Sequence, residues 1–271
     1  MDIITDKVIL IALFILIIHC IETLAYSVRI SGARVRLIAS GLALFNVMVI
    51  VSRLANMMQQ PFTGSLIDTA PPEQALTLVE SQYRVIIGAS TVGTIVGILL
   101  LPTFIAIFSR SIIHLSRLNG SVPALVQQGL KWRMMKRGIR HIRLPRLTYL
   151  NGMKLRDFPI KLFLINMIVT SVYTIGVLSA LYASLLAPER ASTAIMASGL
   201  INGVATILLV IFIDPKISVL ADQVVNKKGS YLSLKTISIM MITSRLLGTL
   251  LAQVLFIPGA YYVAWFTKFI V

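Results

Sequence analysis

Two ionisable residues stand where hydrocarbon is expected. Glu22 lies in an apolar run with His19 three positions before it, a spacing that puts both on one helix face. Arg245 lies in the middle of another apolar run. A charge at the bilayer centre costs about 2.5–3.5 kcal/mol on insertion scales, so a residue kept there is a functional candidate by default. Glu22 and Arg245 either form a structural ion pair or line a wet cavity, and His19 either packs or joins them. Arg53, Arg84 and Asp214 fall nearer the ends of such runs, where long side chains can also snorkel to the interface. Asn46, Asn166, Asn202 and Gln253 add amides to the set. Several embedded arginines against one embedded glutamate favour an anionic substrate, because a guanidinium offers planar paired donors suited to phosphate oxygens.

Other chemistry lacks its residues. His19, His114 and His141 have no metal-ligand spacing, and one embedded glutamate is too few for a carboxylate metal site. No Gly-rich P-loop and no Gly-x-Ser-x-Gly elbow occurs, so nucleotide hydrolysis and a serine nucleophile are unsupported. No metal or cofactor is implied. Cys20 is the single cysteine, which excludes a disulfide framework within the chain.

The elements that must hold these residues are membrane helices. The chain has 271 residues, 57% hydrophobic and 13% charged, where soluble domains carry about 25% charged residues. A spanning helix needs about 20 apolar residues. Six segments qualify, at about Val8–Ser27, Leu37–Met57, Val85–Phe108, Lys161–Ala187, Ser192–Ile213 and Ile237–Phe256. The last runs past Pro258 into an aromatic tail with Tyr261, Tyr262 and Trp265, as at a membrane interface. The first is a retained helix rather than a signal peptide, because Asp2 and Asp6 replace a basic leader. The runs lack the period-two alternation of barrel strands, so the fold class is all-α.

The formal charge of +15 has a definite place. The connections after the first, third and fifth segments hold 19 of the 25 Lys and Arg, 12 of them between Arg110 and Lys161. The positive-inside rule then puts both termini outside. Within Leu125–Arg143, apolar positions recur at helical spacing with Lys and Arg between them, as in a cationic helix lying on anionic cytoplasmic lipid. Enforcing topology is the simpler role for the same charge. No nucleic-acid recognition module accompanies it.

The halves resemble each other. Ala39-Ser40-Gly41-Leu42 recurs as Ala197-Ser198-Gly199-Leu200, Gly93-Thr94 as Gly248-Thr249, and Pro102 as Pro258, at offsets of about 154 to 158 residues. Pro61 precedes Asp68 by the interval that separates Pro215 from Asp222. Three helices per half make this a 3+3 inverted-topology repeat, the architecture of alternating-access transporters. The expected organisation is a membrane repeat at 1–120, a basic cytoplasmic segment at 121–158 and a second repeat at 159–271.

The chain resembles the Amj-type (alternate to MurJ) lipid II flippase family over essentially its whole length. The likeness rests on the six helices, His19-Cys20-Ile21-Glu22-Thr23, Pro61-Phe62-Thr63-Gly64, the basic central loop and Asp214-Pro215-Lys216. It implies a transporter of the bacterial plasma membrane that moves undecaprenyl-pyrophosphate-linked disaccharide-pentapeptide to the outer leaflet. No agreed functional residues are carried over. In that setting Arg53, Arg84 and Arg245 would contact pyrophosphate, Glu22 with His19 would gate or couple, and Asn46, Asn202 and Asp214 would line the cavity. The other readings are an intramembrane polyprenyl-pyrophosphate phosphatase, a flippase for another polyprenyl-phosphate lipid, and a scaffold for envelope synthesis. Homo-oligomerisation stays open.

Overall fold

The computed structural model describes residues 3–129 and 159–270. Those residues are helical, without strands, and six helices are long and apolar enough to cross a membrane. The chain runs as α1 (Asp6–Arg34), α2 (Ile38–Asp68), α3 (Ala75–Arg117), a short α4 (Val122–Gly129), α5 (Ile160–Leu186), α6 (Ala191–Leu208), α7 (Asp214–Val225) and α8 (Tyr231–Phe266). Thr5 caps α1 by accepting from the Val8 amide, and Ser230 caps α8 by accepting from Leu232. The basic segment expected at Leu125–Arg143 lies, beyond Gly129, outside the described residues.

The helices outrun their apolar cores. α3 has 43 residues, starting ten before the apolar run at Val85 and ending nine after Phe108. Packing explains its early start, because Ala75, Val79 and Tyr83 are buried and the Tyr83 hydroxyl donates to the Thr63 carbonyl. Likewise α2 continues through Pro61 and α8 through Pro258. The stretch between the second and third apolar runs, 58–84, is therefore helical except for 69–74. α1 carries on past Ser27 to Arg34, with every residue from Thr23 to Ala33 buried.

One span breaks. Pro215 lacks the N–H that would bond the Ile211 carbonyl, and the helix widens to a π turn over Leu209–Ile213 before restarting as α7.

Packing follows one pattern in both halves. α1 lies along α3 and against α2, while α5 lies along α8 and against α6; α2 touches α3, and α6 touches α8, far less. Glycine permits the two long contacts. A Cβ on Gly93 would stand 2.2 Å from the Leu16 carbonyl oxygen, and one on Gly248 would stand 2.7 Å from that of Met167. The halves meet where α3 faces α8 and where α1 reaches α7 and α8.

Two faces result. The face bearing the chain ends is sealed by an apolar cluster that includes Val8, Ile11, Leu66, Tyr83, Leu181 and Phe256. At the opposite face, the ends of α1 and α3 and the start of α2 close on Val28, Leu44, Ile112 and Leu115. α6 is peripheral: Met196, Leu200, Val204 and Ile207 are exposed along it.

Candidate functional site

The sequence of α1 places Glu22, Ala25, Tyr26 and Arg29 at i, i+3, i+4 and i+7, one stripe along the helix. That stripe forms one wall of a cavity. Phe45, Val49 and Arg53 face it from α2, Thr170 and Tyr173 from α5, and Arg245 from α8. Asp214, at the end of the π turn, completes the far rim. The cavity therefore extends from mid-membrane toward the face opposite the chain ends. It offers about 80 Å³ to the centres of water molecules, room for several waters at about 10–15 Å³ each.

Two charged clusters mark its floor and its rim. At the floor, Arg245 Nη2 pairs with Glu22 Oε2 and lies 3.3 Å from His19 Nδ1. Ser52 Oγ donates to the other Glu22 oxygen at 2.8 Å. At the rim, Arg29 Nη2 donates to Asp214 Oδ1 at 2.6 Å, with the guanidinium carbon 3.9 Å from the Phe45 ring centroid. Three guanidiniums and two carboxylates thus line the space, a net positive chamber. Its walls are braced by Asn166, which accepts from the Tyr26 hydroxyl at 3.4 Å and donates to the Met241 carbonyl at 2.9 Å. Asn56 donates to the Tyr173 hydroxyl at 3.2 Å.

The expected residues divide by position. Glu22, Arg53, Asp214 and Arg245 line the cavity, and His19 is buried behind Arg245. Pairing and cavity lining prove compatible for Glu22 and Arg245, since the two are paired and also line the space. Arg53 has no ion pair or hydrogen bond among the described residues. Arg84 stands apart, donating to Glu80 at 2.9 Å and to the Gln253 carbonyl at 3.1 Å across the α3–α8 contact. Asn46 is exposed on α2. Asn202 projects against Gly176, and its buried Oδ1 has no hydrogen-bond partner among the described residues.

Hydropathy puts Arg29 in a charged connection, yet it is 5% exposed and belongs to the cavity. The heptad interval from Glu22 is the signal that could have found it. Among the described residues, no group of three His, Cys, Asp or Glu is placed to hold a metal ion. A second recess of about 500 Å³ lies between α5, α6 and α8, walled by Val172, Ile175, Leu200, Val204 and Leu255. It shares the α5–α6 wall with the charged cavity.

Fold and site together define a polytopic helical membrane protein with a charged chamber between its halves. The chain belongs to the Amj (alternate to MurJ) family, whose model matches residues 14–267. It is 60% identical over 268 residues to the protein of Bacillus subtilis (strain 168) named lipid II flippase Amj, covering 99% of each chain. No solved structure matches it.

Proposed function

We propose that this chain is a lipid II flippase: a transporter, not an enzyme, that carries the lipid-linked peptidoglycan precursor from the inner to the outer leaflet of a bacterial plasma membrane. The observation that carries this reading is the 60% identity, over 99% of both chains, to a protein named for that activity. The cavity's chemistry supports it. A pyrophosphate-linked headgroup needs a cationic, hydrated chamber, and Arg53 and Arg245 supply donors there. Arg84, outside the cavity, would meet the anion only after the α3–α8 contact shifts. Glu22 with His19 would gate Arg245, by holding it or releasing it to the substrate. Asp214 lines the rim, Asn202 the α5–α6 wall, and Asn46 the outer surface of α2. The apolar recess beside the chamber offers a wall for the hydrocarbon tail.

The halves act as inverted repeats, spanning 1–120 and 159–271 around the segment 121–158. Support comes from the matched motifs, from α1 on α3 answering α5 on α8, and from Gly93 and Gly248 in equivalent close contacts. Rocking of such halves exposes a central site to each side in turn. The chain ends lie outside, the basic connections in the cytoplasm, and the central basic segment on anionic lipid. With that orientation the present conformation is sealed outside and holds its chamber toward the cytoplasm.

The test is leaflet-specific accessibility of lipid II in cells that depend on this chain alone. Outer-leaflet lipid II should be present with the chain and lost on its depletion; accessibility that persists without it would sink the reading. Arg245→Glu should abolish accessibility while the protein stays in the membrane.

A further inference from the structure

The rim pair asks for a second partner. Arg29 is 5% exposed and spends one nitrogen on Asp214, while its Nε and Nη1 are buried with no acceptor among the described residues. A buried donor left without an acceptor is unfavourable, and more so when it carries charge. Phe45 fixes the guanidinium plane by stacking on it, so the free edge keeps one orientation. Arg245 Nε, in the same cavity, is likewise buried and unmatched. Arg53, on the same wall as Phe45 but exposed, has no ion pair among the described residues. Donors therefore exceed acceptors around one small space.

We propose that Arg29 is the docking residue for the pyrophosphate of the lipid substrate, and that Asp214 occupies its place until substrate arrives. This rests on the flippase reading and names a residue of that site which neither the family match nor the relative's name assigns. A carboxylate oxygen and a phosphate oxygen make equivalent charge-assisted bonds to a guanidinium. A pyrophosphate has oxygens enough to take over the Nη2 bond and also to meet Nε and Nη1, which Asp214 does not reach. The exchange frees Asp214 and with it the start of α7. The π turn at Leu209–Ile213 immediately precedes Asp214, and α6 beyond it is peripheral, so the freed segment has somewhere to bend. Headgroup capture thereby opens a chamber too small to admit the headgroup while the pair is closed.

Purified full-length chain in lipid nanodiscs is titrated with a polyprenyl pyrophosphate, the matching neutral polyprenol and inorganic pyrophosphate. Wild type should prefer the polyprenyl pyrophosphate to both others. Arg29→Gln should weaken its binding by about tenfold or more, the loss of one or more charged hydrogen bonds. Asp214→Asn should tighten it by about threefold or more, since the competing carboxylate is gone. Equal weakening by both variants, or no change with Asp214→Asn, would make the pair a structural strut and overturn the proposal. Equal affinity for inorganic pyrophosphate would overturn a lipid headgroup as the source of the anion. If Arg29→Gln does not fold, Arg29→Lys and the Asp214→Asn arm decide alone. Binding that ignores Arg29, beside normal lipid II accessibility in cells, sinks only this assignment; accessibility that persists in cells depleted of the chain sinks the flippase reading itself.

Discussion

At the scale of single residues, the floor of the cavity is held by one buried ion pair. Glu22 and Arg245 are 15% and 7% exposed in their side chains, so each needs the other. Removing one partner of a buried pair costs about 3–5 kcal/mol because the remaining charge is stranded, whereas removing both is milder. Glu22→Gln and Arg245→Gln should each lower the thermal midpoint of the purified protein, and the double variant should lower it by less than their sum. An additive double-mutant cycle would contradict the pairing. Both residues are legible in the sequence, because a charge inside an apolar run is visible without a fold. Arg29 is not, because hydropathy ends the first span near Ser27 and assigns Val28 to Arg36 to a charged connection. The heptad interval from Glu22 hints at its face, and the burial of Thr23 to Ala33 against neighbouring helices places it inside. Its partner Asp214 is 185 positions away, and a link of that length emerges from the fold alone.

At the scale of helices, glycine decides how closely pairs approach, and the glycines differ in consequence. Gly93 and Gly248 press on carbonyls of Leu16 and Met167, with backbone that cannot swing aside. Gly199 meets nothing within 4 Å. Gly93→Ala and Gly248→Ala should therefore reduce thermal stability, while Gly199→Ala, inside α6, should raise it by up to about 1 kcal/mol from helix propensity. Scanning fluorimetry of the three variants in one detergent checks the ordering. Apolar length makes the six spans readable, yet not their true ends, because α3 and α8 continue on tertiary contacts rather than on hydropathy. The π turn has one local signal, Pro215, whose missing N–H does not by itself say whether a helix kinks, widens or stops.

At the scale of the whole molecule, the larger apolar cluster fills the face bearing the chain ends and the charged chamber lies toward the other, which makes accessibility directional. In a Cys20→Ala background, Thr206→Cys should react with a membrane-impermeant thiol reagent from the cytoplasmic side of inverted vesicles and not from the outside of intact cells. Pro72→Cys, in the connection between α2 and α3, should show the opposite pattern. Reversed labelling of the pair would invert the proposed orientation. The seal of Val8, Ile11, Leu66, Tyr83, Leu181 and Phe256 then acquires a second meaning. An energised membrane holds a voltage worth about 2.3 kcal/mol per elementary charge per 100 mV. A hydrated, positively charged chamber that ran the full thickness would short-circuit it with leaking anions. The apolar plug is electrical insulation, and the voltage would fall across its thickness, about 21 Å of α1 between Val8 and Glu22.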